Sequence, residues 1–501
     1  MQLRSLLDSI SKTGRRALVV GLGRSGAAGA RLLVEQGCSV LVAERDTEPA
    51  ATRKPATQRL CTSLRQLGIE VHFGLDGERL LPLLSDVGLA VLSPGVSLES
   101  AVVGTLSRLK IPFISELDLA AALHKGEVAV ITGSNGKSTT AALVSHALRC
   151  AGRSVQGSPS PELSAASASS GQEGALGPDG AVLVLPATSF ELESCTILKP
   201  NVSVLLNLSE SHLERHGSME RYASAKARCV RLQEKNDVVV ANADDPAALS
   251  LAAASGAATW LFGRKPLSEL LKSAQSAATI IDQNTSEARL EARIRGAVES
   301  YSLTSTALFG EHNRSNIAAA VLAARALGAP AAAVQAAVSS FKPLEHRLEI
   351  ISHNQARVVV NDSKSTTVAA SRAALRAVLS HFPGHTVILM LGGLSKAGAW
   401  EPLLREVSSL GPLVEPLICF GKDRTLLASH CRANGVASKV AANLREATGL
   451  ALARLHSLER AVVLLSPGCH SFDEFEDFQE RGRQFKSYVE AAGIEPCRAL
   501  G

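Results

Sequence analysis

A chain of 501 residues, 46% hydrophobic and 20% charged, is long enough for about three domains with sizeable cores. Its net charge of +5 comes without a Lys/Arg block, and only 3% of residues are aromatic, which argues against a nucleic-acid partner. Nine scattered cysteines, an odd number with no CxxC pair, argue against zinc sites and a disulfide framework.

Residues 1–14 read as a short amphipathic helix without the apolar core of a secretory leader, and no apolar run approaches bilayer-spanning length. A cytoplasmic protein without a membrane partner is therefore expected. Ala17–Val20 is a buried-strand run, followed by Gly21-Leu22-Gly23-Arg24-Ser25-Gly26, a helix to about Gln36, and a strand Val40–Ala43 ending in Glu44-Arg45-Asp46. This is a dinucleotide-type opening, although a lone GxGxxG shows only that a phosphorylated or carboxylated group can sit on the turn. Residues 47–62 are polar and read as a loop. Leu89–Val96 is a strand ending in a turn, and the first unit closes near residue 117.

The strand Val128–Ile131 runs into Thr132-Gly133-Ser134-Asn135-Gly136-Lys137-Ser138-Thr139-Thr140, and an Ala/Leu-rich helix follows from about Thr139. Glycines let backbone N–H groups turn onto phosphate oxygens, and the helix N-terminus adds partial positive charge. Lys137 would reach the outer phosphates and the Ser138 hydroxyl would hold magnesium. Only two residues separate Gly133 from Gly136, where the common P-loop has four between its first glycine and the Gly-Lys pair. Residues 157–180 form a Ser/Ala/Gly/Pro-rich loop. Ala181–Leu185, Val202–Leu208 and Val238–Ala241 are strands, and residues 247–300 carry no clear pattern. Gly310–Asn316 leads into a long Ala-rich helix. A third unit starts near Leu344, with strands Arg357–Val360, Thr386–Leu391, Leu413–Phe420 and Ala461–Leu465 alternating with helices. Such alternation implies parallel, doubly wound sheets.

Four stretches stand in one order: Thr132–Thr140, Gly310–Asn316, His346-Arg347 with Asn361–Thr366, and Ser466 through Phe478. On these the chain resembles the Mur ligases over nearly its whole length, and its tail from Ser471 to Phe485 is similar to their D-glutamate-adding branch. The resemblance implies an α/β chain of three domains. These are a Rossmann-like UDP-precursor-binding domain (1–117), a central P-loop ATPase-like ATP-binding domain (118–343) and a Rossmann-like amino-acid-binding domain (344–501). It further implies a monomeric, cytoplasmic enzyme of peptidoglycan precursor synthesis that uses ATP and Mg2+ to join D-glutamate to UDP-N-acetylmuramoyl-L-alanine. ATP would phosphorylate the carboxylate, and the amine would then attack the acyl phosphate.

By the same resemblance, Arg24 and Ser25 lie near the UDP diphosphate, Glu44 near the uracil, and Gly95 faces the nucleotide. Gly133, Ser134, Asn135, Gly136, Lys137, Ser138 and Thr139 cradle the ATP phosphates. Asn313 and Asn316 contact the adenine side, with helix N-capping as their alternative role. His212 and Lys226 are associated with magnesium, Lys226 as a carbamate; a surface or core histidine and a solvated helix lysine are the alternatives. Arg347 meets the γ-phosphate and Asp362 the ribose, with His346 and catalytic Lys364 close by. Thr366, Lys396, Ser471, Phe472 and Phe478 hold D-glutamate.

The pattern breaks around the metal. Where the family carries a magnesium-binding glutamate, this chain has Pro186, which has no donor. The family's Asp-His pair is Ser211-His212, and its Gly-Asn-Ile-Gly turn is Gly157-Ser158-Pro159-Ser160. Glu191 or water could replace the lost ligand. Ligation with a changed substrate, and nucleotide binding without ligation, stay open as alternatives. A dehydrogenase reading of the first glycine turn has no nicotinamide site to support it.

Overall fold

The computed structural model describes residues 3–53, 55–157, 180–281, 288–354, 356–395 and 400–494. The chain forms two compact units, Met1–Thr306 with Ser315–Phe341, and Ala307–Arg314 with Lys342–Gly501. Among the described residues the strands form three sheets, two in the first unit and one in the second. The expected mixed α/β class therefore holds.

The first sheet contains β1 (Arg16–Val20), β2 (Ser39–Ala43), β3 (Glu70–His72), β4 (Val87–Leu92) and β5 (Phe113–Ser115). Its order is β3-β2-β1-β4-β5, and all pairs are parallel. Short runs such as Ala17-Leu18-Val19-Val20 are buried on both faces. Ala17 and Val19 enter one core, Leu18 and Val20 the other. That explains why the strand reads as a continuous apolar run rather than an alternating one. Chain order reverses between β1 and β4, and ligands in open parallel sheets bind beyond the strand ends at such a point. Residues 47–62 are not a loop as expected: helices occupy Glu48–Ala51 and Pro55–Gln66. The second opens on Pro55, where a missing N–H is tolerated, and buries Cys61 and Leu64 on one face.

The second sheet is built on β6 (Val128–Thr132), with β7 (Val155–Gln156), β8 (Val182–Pro186), β9 (Val202–Leu205), β10 (Val238–Asn242), β11 (Ala258–Gly263), β12 (Ser276–Ile281), β13 (Arg289–Ile294) and β14 (Ala297–Ser302). The order β14-β13-β12-β11-β10-β9-β6-β8-β7 places β6 between β8 and β9. The stretch 247–300, patternless in sequence, supplies β11 to β14. Its strands bury small residues such as Ala277 and Ala278, so the hydrophobic signal is weak. β12, β13 and β14 pair antiparallel, against the all-parallel expectation. Arg295 and Gly296 both take positive φ, +50° and +88°, in the two-residue turn joining β13 and β14. Such a turn matches the strands' right-handed twist.

A buried carboxylate ties these two sheets into one unit. Asp118, in the helix Glu116–Leu123 that follows β5, accepts from Thr196 N at 2.8 Å and Ile197 N at 3.2 Å.

The third sheet has β15 (Glu349–Asn354), β16 (Arg357–Asn361), β17 (Thr386–Gly392), β18 (Leu417–Phe420), β19 (Ser438–Val440) and β20 (Ala461–Gly468), in the order β15-β16-β20-β17-β18-β19. Only β15 runs antiparallel to its neighbour, and apolar cores cover both faces. The strand expected from Leu413 begins at Leu417, because Gly411–Leu413 is a turn of 3-10 helix. Among the described residues no helix is long and apolar enough to cross a membrane.

Candidate functional site

β6 delivers its loop at the sheet centre, and the helix Lys137–Cys150 leaves from it. Gly133 and Gly136 have φ of +156° and +89°. A Cβ on Gly136 would lie 2.2 Å from Asn316 Oδ1, and one on Gly133 would lie 2.9 Å from Leu206 Cβ. Both positions therefore require glycine. The loop is tethered by residues that sequence reasoning did not single out. Asn207 Oδ1 accepts from Asn135 N at 2.9 Å, and Ser134 Oγ lies 2.8 Å from the Tyr222 hydroxyl. Ser138 and Thr139 are buried in the first helical turn.

Two lysines converge on one carbonyl. Lys137 Nζ donates to Gly133 O at 2.8 Å, and Lys226 Nζ donates to the same oxygen at 3.0 Å and to Thr132 Oγ1 at 3.1 Å. Lys226 is 1% exposed, so it is not a solvated helix lysine. Burial, and then the nearby Lys137 charge, hold its ammonium well below the usual lysine range.

β8 lies beside β6 with Pro186 opposite Ile131. Thr188 then caps the helix Ser189–Glu193, and Glu191 closes a capping box, its Oε2 accepting from Thr188 N at 2.6 Å and Thr188 Oγ1 at 2.7 Å. Burial pushes the Glu191 carboxyl up, against the Thr188 bonds and the Lys137 and Lys226 charges, which lower it. His212 sits at φ +56° before the helix Leu213–His216, with its ring 4.7 Å from that of Phe190. Arg215, on the same helix, donates to Gly95 O at 3.2 Å, Val96 O at 2.9 Å and Glu193 Oε2 at 2.9 Å. It thereby joins the turn after β4 to the segment after β8.

Beyond β1 and β4 the first sheet forms its own turn cluster. Glu44 Oε2 accepts from Leu22 N at 2.7 Å, so this acid braces the glycine turn itself. A Cβ on Gly26 would lie 2.0 Å from Gly21 O. Ser93 Oγ donates to Gly21 O at 3.1 Å. Arg24 and Gly95 are exposed, and Ser25 is half-buried at the helix start.

Asn313 and Asn316 lie inside the helix Glu311–Ala326, both buried, so the N-capping alternative fails for each. Asn313 Nδ2 donates to Phe309 O at 2.9 Å.

In the second unit Asp362 is buried, accepting from Ser365 Oγ at 2.5 Å, Ser466 Oγ at 2.8 Å and Leu348 N at 3.2 Å. His346 and Leu348, flanking the half-buried Arg347, take positive φ of +64° and +47°. His346 packs so closely that a Cβ on Gly482 would meet its Nδ1 at 2.2 Å. Lys364 Nζ stands 3.7 Å from the Phe478 ring centroid. Thr366 is half-buried, Ser471 buried, and Phe472 exposed with its ring stacked on His470. Lys396 and Ser158–Ser160 lie outside the described residues. Arg481, fully buried, gathers this end of the sheet by donating to Ser363 O at 2.8 Å and Cys469 O at 3.1 Å.

The Mur ligase middle domain family matches residues 131–324, and the Mur ligase glutamate ligase domain family matches residues 346–469. The UDP-N-acetylmuramoylalanine–D-glutamate ligase of Acidobacterium capsulatum is 34% identical over 492 residues, covering 95% of this chain and 96% of that protein. The chain belongs to the Mur ligase family. The enzymes of the same name from Geobacillus kaustophilus and Anaeromyxobacter dehalogenans are 33% and 35% identical, covering 95% and 94% of this Mur ligase and 97% of each relative. Among solved structures, UDP-N-acetylmuramate–alanine ligase from Thermotoga maritima matches with a TM-score of 0.59 at 20% identity, covering 95% of this chain and all of the other. The MurF ligase of Thermotoga maritima, solved with ADP, matches with a TM-score of 0.56 at 18% identity, covering 83% of this chain and 94% of that one. These two share the fold.

Two predictions follow from this geometry. With the turn after β4 as the proposed UDP-binding element, Arg215→Ala is expected to raise KM for a UDP-linked substrate about tenfold with kcat within about twofold, because that turn loses its brace; initial-rate kinetics check it, and an unchanged KM would leave Arg215 purely structural. Asp362 has its carboxyl raised from 3.8 to about 6 by burial, despite its hydrogen bonds. The folded state thus binds more protons, and this contribution to stability is lost as pH rises from 3.8 through about 6. Asp362→Asn lacks that slope. Denaturant titrations should show its stability relative to wild type improving by about 2 kcal/mol between about pH 4 and pH 7; parallel pH curves would count against it.

Proposed function

We propose that this Mur ligase acts in the cytoplasm as a monomer and joins D-glutamate to UDP-N-acetylmuramoyl-L-alanine at the expense of ATP, in peptidoglycan precursor synthesis. The single observation that carries the reading is the meeting of Lys137 and Lys226 at Gly133 O, at the head of a helix. A carboxylate and a triphosphate repel each other, and the Lys137 charge together with the positive end of that helix lets them approach. Full-length similarity to D-glutamate ligases supports the choice of acceptor and amino acid.

In this reading the turns after β1 and β4 take the UDP end, with Arg24, Ser25, Glu44 and Gly95 nearest to it. The Gly133–Thr139 loop holds the triphosphate through its backbone N–H groups, and Lys137 turns from its own carbonyls to the outer phosphates. Asn313 and Asn316 serve the adenine side. Arg347 and Asp362 serve the γ-phosphate and ribose. Lys364, Thr366, Lys396, Ser471, Phe472 and Phe478 serve D-glutamate. The substrate carboxylate attacks the γ-phosphorus, ADP leaves, and the amine of D-glutamate displaces phosphate from the acyl carbon. The domain limits 1–117, 118–343 and 344–501 belong to the same proposal.

Among the described residues no three His, Cys, Asp or Glu side chains group to hold a metal. Magnesium, however, usually takes water, phosphate and one or two carboxylates. The Ser138 hydroxyl and the Glu191 carboxylate are donors of that kind, with His212 and a carbamylated Lys226 as further candidates, so the set fits. Magnesium there would offset phosphate charge. Phosphate release should need ATP, Mg2+, UDP-N-acetylmuramoyl-L-alanine and D-glutamate together. Absence of release by purified protein with all four present would refute the ligase reading.

A further inference from the structure

The end of β8 carries Pro186, which offers no side-chain donor to the cradle beside it. Five residues later Glu191 folds back over that strand end. Its capping box engages Oε2 twice, at 2.6 and 2.7 Å, and leaves Oε1 out of the cap. The Ala187 carbonyl, next to Thr188, accepts from Thr132 Oγ1 at 2.8 Å, and that same hydroxyl accepts from Lys226. A short chain of bonded residues therefore links Glu191 to the oxygen where Lys137 and Lys226 meet. Both lysine charges act on the Glu191 carboxyl, which is only 6% exposed. A helix cap alone does not require a carboxylate, since glutamine closes the same box. A carboxylate oxygen at the head of a triphosphate loop is instead what a hard divalent cation takes alongside phosphate and water.

We propose that Glu191 is the carboxylate through which this site binds a divalent cation, in a role for which Pro186 has no donor. The inference rests on reading the Gly133–Thr139 loop as a triphosphate site. Its test is Mn2+ binding, followed by the electron paramagnetic resonance of free Mn2+ in the presence of a non-hydrolysable ATP analogue. Glu191→Gln keeps a carbonyl oxygen for Thr188, so the cap and the metal-free melting temperature should persist. Its Mn2+ affinity should fall about tenfold or more, while metal-free affinity for the analogue should not fall. Adding Pro186→Glu to that variant should return Mn2+ affinity toward the wild-type value. Wild-type Mn2+ affinity in Glu191→Gln, or no Mn2+ uptake by the wild type with the analogue present, would overturn the proposal. Glu191-dependent Mn2+ binding in a protein that never releases phosphate would refute the ligase reading and leave this inference standing. Full ligation with Mn2+ affinity indifferent to Glu191 would do the reverse.

Discussion

Lys137→Ala is expected to cut ATP-dependent phosphate release about a thousand-fold while leaving the protein folded. The side chain is half-buried and spans its own loop, donating to Gly133 O at 2.8 Å and Ser134 O at 2.9 Å. Removing it costs stability little, about 1 kcal/mol, because Gly133 O keeps the bond from Lys226. The backbone cradle is set by Gly133 and Gly136 and by the tethers from Asn207 and Tyr222, none of which depends on Lys137. In the proposed reading, what disappears is a positive charge at the place where negative charge accumulates during phosphoryl transfer. Affinity for the UDP-linked substrate should change less than twofold or so, since the turns after β1 and β4 are untouched. Phosphate-release kinetics with a parallel melt decide the matter. A variant keeping a tenth of the wild-type rate would remove Lys137 from the chemistry.

Lys226→Met should pull activity and stability in opposite directions. The amine is buried, close to another ammonium, and its charged form is disfavoured chiefly by desolvation. Met matches its length, brings no charge, and finds the Tyr222 ring, whose centroid lies 4.8 Å from the present Nζ. No buried group is orphaned, because Thr132 Oγ1 still donates to Ala187 O and Gly133 O still accepts from Lys137. A gain of about 1 to 2 kcal/mol is expected near neutral pH. The sign of the pH dependence follows from linkage. The unfolded chain binds the lysine proton up to about pH 10, and the folded protein releases it earlier. Wild-type stability therefore rises with pH over that window, and the advantage of Lys226→Met shrinks. Turnover should fall by at least about a hundred-fold, since the site loses a group at the head of the phosphate loop. Melts near pH 7 and pH 10, with phosphate release, test both halves. A variant less stable at every pH would mean the amine stabilises the fold, and an active one would take Lys226 out of catalysis.

The separation between these two lysines shows how unevenly the chain discloses its design. Lys137 follows a glycine loop in sequence and announces its role locally. Lys226 sits in an ordinary helical stretch, and only resemblance drew attention to it. Its burial and its bond to Gly133 O depend on the helix Met219–Ala227 being brought to the loop after β6, a contact between residues 93 apart.

The sequence by itself determined the units built from strong local signals. Continuous Val/Leu/Ile runs specify buried parallel strands, and Gly21, Gly133 and Gly136, at positive φ after β1 and β6, specify turns that other residues adopt only under strain. Those signals are local because backbone sterics and hydrophobic burial act residue by residue. Tertiary structure alone decided the strand β11, the Ala- and Ser-rich start of β12, the antiparallel pairing of β12 to β14, and the helix opening on Pro55, where weak patterns are settled by neighbours. It also decided that Glu44 braces the first glycine turn, that Asn313 and Asn316 lie within a helix, and that Glu191 folds over the end of β8. Side-chain hydrogen bonds across elements are chosen by where the backbone brings donors and acceptors together, and no spacing along the chain encodes that meeting.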